Sequence, residues 1–150
     1  MSEGGGADIL PATIICMKIF VSGRIDDISN VRKIQNELIA AGHNLTHDWT
    51  KTDTMLGGRY DKLKNKRESA HRAKLDIDGV VESDVYILCS SNKTAGKGMY
   101  AELGAALALN AIKNKPDIYI LGPLNHLTVF YLHPAVKHRE NVKDILHELG

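Results

Sequence analysis

Cysteine is scarce. The 150 residues contain only Cys16 and Cys89, too far apart in sequence and too few for a disulfide framework. Both are expected to be free, buried thiols in a reducing compartment. The seven histidines include no His-Glu-x-x-His and no Cys/His cluster, so no metal site is expected. The phosphate-binding pattern Gly-x-x-x-x-Gly-Lys-Ser/Thr is also absent. Charge of one sign is not in surplus: the formal net charge is +1, and nothing global draws the chain to nucleic acid or a membrane surface. No apolar run approaches the roughly 20 residues that span a bilayer. The mildly apolar stretch 9–17 has no basic flank and does not read as a signal peptide. A cytoplasmic location and a small, locally recognised substrate are the expectations that remain.

What is present is an ordinary globular balance, 43% hydrophobic and 25% charged, in a length that suits one domain. Residues 1–16 begin glycine-rich and are expected to be a flexible extension, with a single domain over 17–150. Lys18-Ile-Phe-Val-Ser22 is short, apolar and followed by Gly23, the pattern of a buried parallel strand. Ile28, Val31, Ile34, Leu38 and Ala41 then recur at helical spacing up to Gly42, with Asp27 or Ser29 as candidate cap. A second strand is expected over 44–48. Residues 50–67 are polar and basic, suggesting a long loop or lid. A helix over 68–82, a strand over 85–89, an alanine-dense helix over 99–112 and a strand over 118–121 follow. A short fifth strand is expected over 128–132 and a last helix over 140–149. Strands alternating with helices predict an α/β fold, a flavodoxin-like, Rossmann-like doubly wound parallel sheet of about five strands with flanking helices. Ligands of such sheets bind at the strand carboxyl ends, where the strand order reverses.

The densest chemical signal is Gly96-Lys-Gly-Met-Tyr-Ala-Glu-Leu-Gly104, a glycine-rich loop that feeds a helix. Backbone N–H groups and the helix dipole there can face a ligand, and the dipole favours an ionised Glu102. An ionised carboxylate beside a sugar is what a glycosyl nucleophile requires. The blander alternative is a glutamate that only complements its own helix dipole. Ser90, at a strand end, could donate to a phosphate or sugar hydroxyl, or simply satisfy its turn. Trp49, the only tryptophan, could stack on a base or fill the core. Asp76 and Asp78 have an alternative reading as exposed charges, and the basic run from Lys62 to Lys74 as a solvated face.

Gly98-x-x-x-Glu102-Leu-Gly104-x-Ala106-Leu-Ala108 resembles the signature of the nucleoside 2-deoxyribosyltransferase superfamily, which includes deoxynucleoside 5′-monophosphate N-glycosidases. The resemblance runs from Lys18 to about Gly122. It implies that Glu102 is the nucleophile at C1′ and that Asp76, in Asp76-x-Asp78 ahead of the strand Val85–Cys89, lies near sugar and base. It implies substrate contacts from Ser22, Gly23 and Arg24 after the first strand. It implies further contacts from Asp48 and Trp49 in His47-Asp48-Trp49, and from Asp78, Ser90, Gly96, Gly98 and Tyr100. Three positions depart from the pattern. Phe20 stands where many members have a tyrosine that hydrogen-bonds the glutamate, with Tyr100 or Tyr60 as possible substitutes. Gly96 stands where many transferases have an aspartate. Arg24 sits slightly earlier than the phosphate-binding arginine of the monophosphate-specific members, and Asp26 and Asp27 follow it. The implied activity is cleavage of the N-glycosidic bond of a 2′-deoxyribonucleoside, with transfer to another base through a glutamyl intermediate and no cofactor. Hydrolysis of a deoxynucleoside 5′-monophosphate, cleavage of NAD, and a non-catalytic nucleotide-binding module are the alternatives. The resemblance also implies a homodimer or larger homo-oligomer, and surplus alanines on the helix 99–112 offer a face for it.

Overall fold

The computed structural model describes residues 15–51, 62–91 and 96–150. Five strands form one parallel sheet: β1 (Lys18–Ser22), β2 (Asn44–Leu45), β3 (Val85–Cys89), β4 (Asp117–Leu121) and β5 (Val136–Arg139). Four helices connect or follow them: α1 (Ile28–Ala40), α2 (Lys66–Glu82), α3 (Lys97–Lys113) and α4 (Val142–Leu149). The spatial order is β2-β1-β3-β4-β5, all neighbours parallel. The chain leaves β1 for β2 on one side and returns to β3 on the other, so the strand order reverses between β1 and β3. This is the doubly wound sheet that the alternation of elements implies.

The two faces follow from strand alternation. Ile19, Val21, Val85, Ile87 and Cys89 face α1 and α4, against Val31, Ile34, Leu38, Val142 and Ile145. Phe20, Tyr86, Leu88, Ile118 and Ile120 face α2 and α3, against Val80, Met99, Leu103 and Ala106. Strands buried on both faces contribute roughly 1.5–3 kcal/mol for each large side chain removed from water, which is why their sequences are continuous apolar runs.

Four details differ from the sequence-based expectation. Residues 128–132 are not the fifth strand. The Thr128 side chain accepts a hydrogen bond from the Phe130 N–H and starts a 3-10 turn over Val129–Leu132. The fifth strand is Val136–Arg139, an edge strand with Lys137, His138 and Arg139, so it lacks the apolar pattern of a central strand. β2 is only Asn44–Leu45, because the Asp48 carboxylate accepts from the Thr50 N–H at 2.9 Å and turns the chain away. Cys16 is exposed, not buried, whereas Cys89 is buried. The expected extension over 1–16 and the expected lid over 50–67 lie largely outside the described residues. Neither Asp27 nor Ser29 caps α1 through its side chain: Asp27 holds the cap position without a side-chain bond. No described helix is long and apolar enough to cross a membrane.

Candidate active site

The reversal between β1 and β3 opens a cavity of about 480 Å3 at the strand carboxyl ends. Gly23, Arg24, Trp49, Asp76, Gly98 and Glu102 are among its lining residues. Each arrives from a different element. Gly23 and Arg24 follow β1, Trp49 follows β2, Asp76 lies on α2, and Gly98 and Glu102 lie in the first turns of α3. Met99, Leu103 and Ala106, at helical spacing, turn one stripe of α3 onto the sheet, and Glu102 lies at the edge of that stripe, where it borders the cavity.

Glu102 is anchored at its base. The buried Ser22 Oγ, at the end of β1, donates to Glu102 Oε2 at 2.9 Å. Burial, joined by the negative charge of Asp76, pushes the Glu102 carboxyl up to about 8; the Ser22 hydrogen bond opposes this. The expectation of an ionised Glu102 is therefore corrected. It lies beyond the first turn of α3, and burial beside a like charge outweighs the dipole. Asp76 is also raised, by burial first, against the opposing pull of His47 and Arg72. His47 Nε2 stands 3.6 Å from Asp76 Oδ1, an ion-pair contact too long for a hydrogen bond. Two carboxyl groups with raised ionisation in one cavity are the arrangement from which acid and nucleophile roles are drawn.

The remaining walls are held rigidly. Trp49 Nε1 donates to the Val21 carbonyl at 2.8 Å, fixing the indole against the end of β1. Arg24 lies across Gly96, where a Cβ would meet Arg24 Cγ at 2.8 Å, so only glycine admits this placement. Its Nη2 pairs with Asp26 at 2.5 Å, while its Nη1 is buried with no hydrogen-bond partner. Asp27 accepts from Asn30 Nδ2 at 3.1 Å. Lys62 and Lys97 complete a basic rim.

Ser22, Gly23, Arg24, Trp49, Asp76, Gly96, Gly98 and Glu102 are thus brought together. Four other candidates stand elsewhere. Asp48 is engaged by Gln35 Nε2 at 3.1 Å and by Thr50, where it shapes the turn after β2. Asp78 pairs with Lys74 one turn away along α2, on its outer side. The Ser90 hydroxyl donates to the Pro123 carbonyl and borders a separate cavity of about 740 Å3, whose charged side chains, such as Lys33 and Lys143, are exposed. Tyr100 packs on Tyr131 with ring centroids 6.2 Å apart and borders an apolar groove, not the cavity. It does not replace the hydroxyl missing at Phe20, and Tyr60 lies outside the described residues.

Lys62 and Lys97 on the rim escaped the sequence reading as site residues, and so did a residue behind Glu102. Tyr86, fully buried on β3, pairs in register with Phe20 and stacks on it at 6.1 Å and 3°. Its hydroxyl donates to the Met99 carbonyl at 3.2 Å. The only sequence signal was a tyrosine in a central apolar strand. No metal-binding cluster of His, Cys, Asp or Glu occurs among the described residues.

Fold and cavity together define a doubly wound domain with a two-carboxylate site at its switch point. The structure is similar to that of a CMP N-glycosidase, BcmB, from Clostridium botulinum. The TM-score is 0.50 with 16% identity, over 88% of this chain and 97% of that one. At that identity the likeness shows a shared fold. The chain matches no protein-family model and no curated protein sequence.

Proposed function

We propose that this protein cleaves the N-glycosidic bond of a 2′-deoxyribonucleoside and transfers the deoxyribose to another base, with Glu102 as nucleophile. The observation that carries this is the Ser22-anchored Glu102 carboxyl sharing a cavity with Asp76. Glu102 attacks C1′ through an oxocarbenium-like transition state, forming a carbon–oxygen bond as the carbon–nitrogen bond breaks. Below about pH 8 the two carboxyls share one proton; the reactive form carries it on Asp76, which gives it to the departing base as Glu102 attacks. An acceptor base then displaces Glu102 from C1′. Trp49 offers a flat, fixed wall for a base. A 2-deoxy sugar suits the route, since no 2′-hydroxyl withdraws charge from C1′.

A second reading, hydrolysis of a 5′-monophosphate, is favoured by Arg24. Asp26 pairs with Nη2, Asp27 is turned to Asn30, and the unpartnered Nη1 belongs to a guanidinium that lines the cavity together with Lys62 and Lys97. The structural neighbour BcmB, described as acting on CMP, is consistent with that alternative. Incubation with deoxynucleosides and their monophosphates, with and without an acceptor base, separates the readings by chromatography. Exchange of bases supports transfer. Free base from monophosphates alone supports hydrolysis. No free base from either would leave a binding module and defeat both.

The same proposal includes a homo-oligomer. Tyr100, Leu103, Gly104, Leu107 and Ala108 border an apolar groove of about 600 Å3 on α3, beside the exposed Phe130. A groove next to a protruding aromatic on one face suits self-association.

A further inference from the structure

Asp76 meets a second side chain from behind. His47 follows the short strand β2 and lies between two cavities. On one side it borders an outer hollow of about 680 Å3, shared with Asn36, Asp48 and Lys51. On the other its Nε2 stands 3.6 Å from Oδ1 of Asp76, which lines the site cavity. The backbone fixes this placement. Thr46 Oγ1 donates to the Gly79 carbonyl at 2.7 Å. A Cβ on Gly79 would come within 3.0 Å of His47 Cβ and 2.8 Å of Phe20 Cδ2, so α2 approaches this closely only with glycine there. Asp76 and Gly79 are three residues apart, neighbours on one side of α2. The imidazole therefore lies along that side of the helix, from Gly79 to Asp76.

The two carboxyls of the site have different companions. Glu102 has a neutral one, the Ser22 hydroxyl at 2.9 Å. Asp76 has an ionisable one, and its Oδ1 is buried without a hydrogen bond. A cation stabilises a neighbouring carboxylate more than a neutral donor does. When the two carboxyls share one proton, a charged His47 therefore draws the negative charge to Asp76 and leaves the proton with Glu102. The reactive form is the opposite one, with the proton on Asp76. We infer that His47 is a positioning residue for the shared proton: its charge holds the pair in a resting arrangement, and its neutral form lets the proton pass to Asp76. The pair neither gains nor loses a proton in this step. One proton changes carboxyl while His47 gives its own to water in the outer hollow. This rests on Glu102 and Asp76 as the working pair of the site.

The other charges nearby sit on separate elements. Asp48 and Lys51 flank the outer hollow, and Asp48 is already engaged by Gln35 and Thr50. From α1 the hollow is bordered by the uncharged Gln35, Asn36 and Ile39. Arg72, on α2, acts on Asp76 in the same direction as His47 but less strongly. Arg24, Asp26, Lys62 and Lys97 line the site cavity. Histidine is the side chain whose ordinary change of charge falls near neutral pH, so His47 is the member of this group suited to move the proton.

The test is 13C NMR of the full chain labelled at the aspartate and glutamate side-chain carboxyls. Asp76→Asn and Glu102→Gln assign the two signals. At about pH 6, where histidine is ordinarily charged, His47→Gln is expected to shift the ratio of the two singly protonated forms about tenfold toward Asp76, the effect of an opposite charge in partly exposed contact. The Asp76 signal should move toward its acid form and the Glu102 signal toward its ionised form. A change of packing or solvation alone does not exchange charge between two residues. Signals that stay in place, or that move the same way, overturn the proposal. Should His47→Gln fail to fold, the wild-type titration decides, with the His47 ring followed in a chain that also carries 15N-histidine. As the ring loses its proton, Asp76 should gain one with rising pH, the reverse of ordinary carboxyl behaviour, while Glu102 ionises. Carboxyl signals indifferent to the ring overturn the proposal. The measurement requires no turnover. Absence of glycosidic cleavage therefore defeats the functional reading and leaves the proton's position measurable, while an unmoved proton defeats the role of His47 and leaves the activity standing.

Discussion

Replacing Glu102 by glutamine should stabilise the protein, and only at high pH. The folded chain holds the Glu102 carboxyl up to about 8, against 4.5 for the free group, chiefly because burial disfavours its charge. The unfolded chain releases this proton near pH 4.5 and the folded chain keeps it until about 8. Wild-type stability therefore falls as pH rises through that window. Below it both states are protonated and the group contributes nothing. At about 1.4 kcal/mol per pH unit, the full window corresponds to roughly 5 kcal/mol by pH 9. Residual solvent contact with the carboxyl lowers this to about 3–5 kcal/mol. Glutamine keeps the shape and a hydrogen bond to Ser22 but carries no charge. For a chain of this size the gain amounts to a rise of about 10 °C in Tm at pH 9, shrinking to almost nothing at pH 4. Thermal or urea denaturation of both proteins across pH 4–9 measures it. A glutamine variant no more stable than wild type at pH 9, or equally stabilised at both ends, would refute the reasoning.

The same substitution should reduce base release by at least about 10³-fold, roughly 4 kcal/mol of barrier, in a chain whose far-ultraviolet spectrum is unchanged; near-normal turnover defeats the nucleophile. In wild type, kcat/KM should fall as pH rises through about 8, where the pair loses the proton it shares. Asp76→Asn should lower the maximum about 10²-fold and remove that alkaline fall, since no acid is left to deprotonate; a fall near 8 that persists contradicts the pairing. Arg24→Ala should cost a deoxynucleoside monophosphate about tenfold or more in kcat/KM and leave the nucleoside nearly unaffected, if the second reading holds. Equal losses on both substrates would reduce Arg24 to a wall residue. Light scattering at micromolar concentration should show a multiple of the 16.5 kDa chain, reduced by Ala105→Glu and Ala108→Glu. A monomer mass rejects self-association, and an oligomer indifferent to both substitutions removes α3 as its interface.

Much of this molecule was legible in one dimension. β1, β3 and β4 declared themselves because strands buried on both faces must be continuously apolar, and α1 because its apolar residues repeat every three or four positions. Glu102 was legible as a site residue from the glycine-rich loop that feeds α3. Its charge state was not. The dipole is a property of the local helix, whereas burial and the nearness of Asp76 exist only once α2 and α3 share one face of the sheet. Asp48, Asp78 and Tyr100 fit the same motif stretch as true cavity residues, yet Thr50, Lys74 and Tyr131 engage them elsewhere. The fifth strand was misplaced because Val129, Phe130 and Leu132 have strand-like side chains but lie exposed in a capped turn. The true β5 is charged, as an edge strand tolerates. The order β2-β1-β3-β4-β5 was decided by tertiary structure alone, and with it the register that sets Tyr86 against Phe20. Composition and periodicity are summed along the chain. A carboxyl on α3 that meets a serine at the end of β1 and shares a cavity with an aspartate on α2 exists only where three distant segments converge.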